Sequence, residues 1–286
     1  MLTDTPGLLV GNEFEGFKVM VEMISLSRLY NSMAALGASR RALIEAYQFL
    51  SFRKTFGKVA LEHALIRIKL TELGALNVAN FYLVWKAIEL LDKSDAGHEK
   101  EAQLFRLVNP MTKKWSAETG CYITRESMEL MGGLGYIEDG VMPKLMRDVM
   151  VLPIWEGSGN IIILDMLRSL TKTKGFEVMC EEFLRAANAS AEYGSFITEE
   201  LNKLIPFAEQ LKKMPQDEME SSAKMFFEKL TSLYQISLLL DALNDESKVW
   251  ITPALAWLKE KYAPSELKEV KPLSVEEVNG LIGWEF

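Results

Sequence analysis

Two long segments, residues 14–50 and 61–91, constrain the fold more than anything else in the chain. In both, apolar side chains recur at helical spacing with almost nothing to interrupt them. Met20, Ile24, Tyr30 and Ala34 set the period in the first. In the second the stripe is Leu65, Ile68, Leu76, Ala79, Leu83, Ala87 and Leu90, with the charges on other faces. FRKTFGK (52–58) separates them, and Gly57 is a natural terminator. A polar connection, KSDAGHEKE (93–101), precedes a third helix. Pro110 suits its first turn, it carries Trp115, Tyr122 and Ile123, and it ends at Gly132–Gly133. Pro143 begins a short helical piece, and Asn160 opens a fourth main helix through about Leu170. VMVLPIW (149–155) has the composition of a strand, but it carries Pro153 and has no partner, so an extended connector is expected. No run alternates convincingly and no repeat is present. The fold class expected is all-α, an antiparallel four-helix bundle.

Residues 1–13 are extended or loop-like, broken by Pro6, Gly7, Gly11 and Asn12. The bundle is expected over 14–170. Beyond about residue 171 the balance of charge changes: 171–286 holds 13 Lys+Arg against 20 Asp+Glu, which accounts for −7 of the chain's net −8. Helices are expected at 176–192, 196–213, 218–244 and 250–261, separated by Gly194, Pro215 and Asn244–Asp245, with a loose tail marked by Pro264 and Pro272. These make 171–286 a second, acidic helical subdomain, its charge serving solubility first. The same charge argues against nucleic acid and anionic membranes as partners, because both need Lys/Arg patches. No apolar run reaches the length of a membrane span, and the N-terminus lacks a basic stretch followed by an apolar one. Two distant cysteines, Cys121 and Cys180, suit a reducing compartment, so a cytoplasmic protein is expected.

Four short stretches could carry chemistry, and each has an alternative that needs no function. His63 and His98 are 35 residues apart with no second ligand at metal spacing, so no metal site is expected. GGLGY (132–136) follows a helix rather than a strand, and Glu138 occupies the place of a third glycine, which excludes a dinucleotide fingerprint. Its paired glycines let a backbone approach a ligand, or they simply end a helix. RKTFGK (53–58) places a guanidinium three residues before an aromatic ring, a pairing able to hold a phosphate and stack a ring, or a solvated turn. In WEGSGN (155–160), Trp155 could exclude water from Glu156 and raise the pKa of its carboxyl, which suits a base working near neutral pH. Equally, Glu156 could be a carboxylate favoured by the dipole of the helix that follows.

Taken in order, ALGASRRALIEAYQFLSFRKTFGK (35–58) and MELMGGLGYIEDGVMPKLMRDVMVLPIWEGSGNI (128–161) resemble the C-terminal half of the acyl-CoA dehydrogenases. The Arg-x-x-Phe-Gly, GGxGY, Arg147–Asp148 and aromatic-Glu-Gly elements all stand in register. GLLVGNEFEGFKVM resembles the passage out of that family's middle β-domain, which makes 1–13 a β-domain remnant or linker. The IWEGSGN spelling, the LDMLR after it and the helical tail are most similar to the AidB-like, alkylation-response branch.

The resemblance implies α,β-dehydrogenation of an acyl-CoA thioester with FAD, Glu156 being the base that takes the α-proton. The position that holds the base in other members, just before Arg28, is Ser27 here. By the same resemblance Arg53, Thr55 and Phe56 reach the FAD of a neighbouring subunit, and Gly132 and Gly133 form the turn against its adenylate side. Ser158 and Asn160 contact the flavin, while Gly157 and Arg168 face substrate. Glu129 replaces a common Gln and would repel a pyrophosphate unless paired. The family's N-terminal helical and middle β domains lie outside the matched stretches.

Three roles follow. The chain is a component of an FAD-dependent acyl-CoA dehydrogenase, a homo-oligomer whose remaining domains come from a separate polypeptide. Alternatively it is a non-catalytic helical oligomerisation protein derived from that family. A DNA-associated flavoprotein ranks third, because the acidic tail opposes phosphate binding.

Overall fold

The computed structural model describes residues 3–263 and 270–284. Three long helices form its frame: α1 (Gly16–Phe52), α2 (Ala64–Asp95) and α3 (Glu99–Leu130). Helices α1 and α3 lie side by side in the same direction, as Asn109 bonds to Ser25 and a Cβ on Gly120 would stand 3.2 Å from both the Cβ and the carbonyl of Ala35. Helix α2 runs against both, tied through Asn80 to Thr119 and through Lys69 to Glu126 at 2.9 Å. After the single turn α4 (Gly133–Tyr136), α5 (Met142–Met150) and α6 (Gly159–Lys172) descend along α3 as a composite fourth helix. The sequence-based bundle is therefore the observed architecture.

Several details differ from expectation, each for a packing reason. The buried row of α1 is Leu29, Ser32, Ala35, Ser39, Ala42, Leu43, Ala46 and Leu50. Small residues let α1 and α3 approach closely, so Met20, Tyr30 and Ala34 turn outward. In α2 the stripe holds from Leu76 to Leu90, but Leu65 is 81% exposed and Ile68 36%. The third helix begins eleven residues before Pro110, which lies buried in its interior. Leu104, Leu107, Val108 and Met111 are buried at helical spacing around it, and their packing outweighs a cost of about 3 kcal/mol for an interior proline.

Residues 151–156 are a hydrogen-bonded turn rather than an extended connector: the amides of Ile154 and Trp155 both return to the Val151 carbonyl. A two-stranded antiparallel hairpin, β1 (Lys54–Thr55) with β2 (Lys58–Val59), was hidden in RKTFGK. Phe56 (φ 49°) and Gly57 (φ 84°) form its tip.

Beyond α6 come α7 (Gly175–Ala189), α8 (Gly194–Leu211), α9 (Gln216–Ala242), α10 (Lys248–Tyr262) and α11 (Val275–Ile282). One apolar cluster runs through α3, α6, α7, α9 and α10 without a break at residue 170. The expected loose tail is structured where it is described. A capping box between Ser274 and Glu277 starts α11, and Leu281 and Ile282 pack on Gly74 of α2. Pro264 lies outside the described residues.

Candidate active site and flavin groove

The WEGSGN stretch closes the end of the bundle where α5 gives way to α6. Glu156 has φ 60° and Gly157 φ 105°, two consecutive left-handed residues that reverse the chain into Ser158, the N-cap of α6. A non-glycine residue in this region carries a cost of about 1–2 kcal/mol and persists only where its surroundings fix it. Here they do, through donors to backbone carbonyls from two helices. Arg28 of α1 donates through Nε to the Glu156 carbonyl at 3.1 Å and holds Asp165 of α6 at 2.5 Å. Lys113 of α3 donates to the Gly157 carbonyl at 2.6 Å and to that of Pro153 at 3.3 Å. Asn31 donates to the Leu152 carbonyl at 3.1 Å. Gly157 is required on two counts: its φ, and the Ile162 Cδ1 that a Cβ would meet at 3.2 Å.

Glu156 is half-buried, while Trp155 is 56% exposed. Met150, Ile154, Ile161 and Leu164 beside it, together with Phe17, Met23, Leu26 and Tyr30 of α1, leave the surface around the turn apolar and uncovered. Ser158 and Asn160 are exposed on the same end. Arg168 lies further along α6, exposed, with Asp165 at 3.7 Å.

At the other end of α1 a second set of predicted residues converges. Arg53, Thr55, Gly132 and Gly133 line one open groove of about 600 Å³, floored by Phe49, Leu50 and Leu130 and bordered by Glu129. Gly132 has φ 62° and ψ −144°, a conformation that glycine alone adopts readily. A Cβ at Gly132 or Gly133 would meet nothing within 4 Å, so the backbone there faces open space able to take a flat or phosphorylated group. Glu129 is paired: Arg125, one turn before it, holds its carboxylate at 3.0 and 3.2 Å, which relieves the repulsion that sequence alone raised. Phe56 stands at the hairpin tip, 97% exposed and edge-on to His63 at 6.1 Å. Arg147 engages Glu138 and fastens α5 to the turn before it, while Asp148 pairs with Lys144 within α5.

The predicted residues thus fall into two sets: Glu156, Gly157, Ser158, Asn160 and Arg168 at one end, and Arg53, Thr55, Phe56, Gly132 and Gly133 at the other. From Arg28 to Arg53 is 25 residues of α1, about 37 Å at 1.5 Å per residue. Arg28, Lys113, Asn31 and Asp165 were not singled out from sequence. Lys113 had a readable signal: Asn109, Lys113 and Ala117 recur at four-residue spacing on a face that is otherwise small or apolar.

Among the described residues no group of three His, Cys, Asp or Glu could hold a metal ion, and no helix is long and apolar enough to cross a membrane.

Residues 15–171 match the family model described as acyl-CoA dehydrogenase, C-terminal domain. Acyl-CoA dehydrogenase family member 11 of Caenorhabditis elegans is 28% identical over 251 residues, covering 83% of this chain and 41% of that protein. The putative acyl-CoA dehydrogenase AidB of Escherichia coli K12 is 30% identical over 210 residues, 73% of this chain and 38% of that protein. The crystal structure of C. elegans ACDH-11 in complex with C11-CoA superimposes with a TM-score of 0.77 at 23% identity, covering 92% of this chain and 46% of that one. At that identity the superposition speaks to the fold alone. The chain spans about two fifths of the length of these curated relatives.

Proposed function

The chain belongs to the acyl-CoA dehydrogenase family, and from that premise we propose that it is part of an FAD-dependent acyl-CoA dehydrogenase in which Glu156 takes the α-proton of an acyl-CoA thioester. The observation that carries this is the turn at 155–158. A carboxylate stands on a left-handed residue whose own carbonyl, and that of the residue after it, are held by Arg28 and Lys113. A surface charge at a helix start needs neither the strain nor the clamp. FAD, when bound, supplies the acceptor for the β-hydrogen, which leaves as hydride.

The remaining roles belong to the chain's own residues. Gly157 keeps the space beside the base free for the thioester, and Ser158 and Asn160 offer polar groups to the flavin from the start of α6. Arg168 lies along α6 toward the substrate. At the far end Arg53 and Thr55 face a groove in which the open backbone of Gly132 and Gly133 receives the adenylate side, with Phe56 projecting from the rim. Because the two sets stand about 37 Å apart along α1, each complete site combines one copy's base turn with another copy's hairpin, and the protein works as a homo-oligomer. The N-terminal and β domains, carried on a further stretch of polypeptide or on a separate chain, cover the apolar surface around Glu156 and give the base its dry environment. The division proposed is a linker at 1–13, the bundle at 14–170 and an acidic subdomain at 171–286, in a cytoplasmic protein.

The open exposure of Trp155 favours a second reading, a non-catalytic helical oligomerisation protein that kept the bundle. A visible spectrum recorded with added FAD separates the two. Flavin retained by the complete assembly, with dye reduction by acyl-CoAs, supports the enzyme. Glu156→Gln should abolish that turnover with the helices intact. Turnover that persists in this variant removes Glu156 from the role of base, and an assembly that never retains flavin removes the enzyme.

A further inference from the structure

Two carbonyls bracket Glu156, those of Pro153 and Gly157, and a single buried ammonium serves both. Lys113 is 1% exposed, and its Nζ stands 3.3 Å and 2.6 Å from the two oxygens. We propose that Lys113 is the positioning residue for the base: by drawing together the carbonyls before and after Glu156 it keeps residue 156 left-handed and fixes where the carboxylate lies. This role presupposes Glu156 as the base.

The chemistry selects a lysine. Burying an ammonium is costly unless acceptors satisfy it. The converging carbonyls of a tight turn are such acceptors, and an apolar side chain at 113 would leave both without that donor. Arg28 is engaged elsewhere, its Nε on the Glu156 carbonyl and its Nη1 on Asp165. The two cations therefore divide the work. Arg28 reaches the turn from α1 and couples it to α6, while Lys113 reaches it from α3 and closes it across the base.

The surroundings also make this brace sensitive to pH. Burial pushes the Lys113 ammonium down to about 8, and the charge of Arg28 on α1 pushes the same way, with Lys114 of its own helix adding a little. Glu118 of α3 and Glu156 on the turn oppose them, and Asp165 of α6 is engaged by Arg28. On losing its proton, Lys113 exchanges two charge-assisted hydrogen bonds for ordinary ones of about half the strength. The turn should loosen while the bundle stays folded.

Amide hydrogen exchange at Ile154 and Trp155 of the full chain, whose amides both bond to the Val151 carbonyl within the turn, tests this without requiring turnover. After correction for intrinsic rates, wild-type protection of these amides should fall at least about tenfold between about pH 6.5 and pH 9.5, the factor expected for losing one charge-assisted bond. Lys113→Met should show the unprotected level at both pH values, and Lys113→Arg, which stays charged, should be protected at both. In the flavin-loaded assembly Lys113→Met should lower kcat far more than it raises KM, and Lys113→Arg should keep kcat while abolishing its fall at alkaline pH. Wild-type protection of the turn in Lys113→Met overturns the proposal. If neither variant folds, protection of the wild type that stays flat across that pH range overturns it. Should Glu156→Gln stay active while the exchange results hold, the base assignment falls and the brace on the turn remains.

Discussion

The separation of the two residue sets makes a quantitative prediction about mixed assemblies. One variant loses the base, Glu156→Gln. The other loses the groove contacts, Arg53→Met combined with Phe56→Ala. Each alone should be nearly inactive. Along α1, Arg28 beside the turn and Arg53 at the hairpin are about 37 Å apart, and in the two-copy site proposed above each site draws on two copies. In a mixed dimer one site then combines both defects, while the other combines an intact Glu156 from the groove variant with an intact hairpin from the base variant. Statistical mixing makes about half of the dimers mixed, and half of their sites are whole, so about a quarter of wild-type activity should return. The assay is acyl-CoA-dependent dye reduction after the two variants are co-unfolded and refolded at equal concentration with FAD and the remaining domains. A chain that carries all three substitutions at once, mixed with wild type, is the control. Restoration to no more than the sum of the single variants would refute the two-copy site, whatever the groove holds.

Other outcomes can be measured without flavin. Gly157→Ala should lower the thermal midpoint by several degrees, because it forces φ 105° on alanine and brings a methyl group to 3.2 Å from Ile162, a penalty of about 1–3 kcal/mol. Leu281→Ala should destabilise the chain by about 2–5 kcal/mol in chemical unfolding, since that fully buried side chain fills the space over Gly74; a surface-like effect would detach α11 from the core. The hydrogen bond from the Ser274 amide, and then its hydroxyl, hold the Glu277 carboxyl below its ordinary value of 4.5. Its folded value lies below its unfolded one, so its contribution is fully present above about pH 4.5 and is lost as the pH falls through the lower, folded value. The stability gap between wild type and Glu277→Gln should therefore close on acidification; a gap that widens there would contradict the cap.

The helices and much of the chemistry are legible in the order of residues alone. Helical periodicity is local, so α1, α2, α6 and the boundaries at Gly194, Pro215 and Asn244 can be read directly. Glu156, Gly132 and Arg53 stand out because glycines, an aromatic and a charge in fixed order are also local signals. Which face of a helix is buried is not local. Leu65, in the first turn of α2, looks like a core residue and is exposed, and the same holds for Tyr30 of α1, whose seam with α3 is set by the small Ala35 and Gly120. Pro110 looks like a helix start and is an interior residue, because Leu104, Leu107, Val108 and Met111 around it are buried in the folded core. It takes the folded chain to separate the Glu156 turn from the groove at Arg53 and Gly132 by most of the length of α1. Folding also brings Arg28 and Lys113, from helices 85 residues apart in sequence, together on the carbonyls around Glu156. Directed hydrogen bonds between distant segments leave no periodic trace in a sequence, and here they are what holds the turn at Glu156 in place.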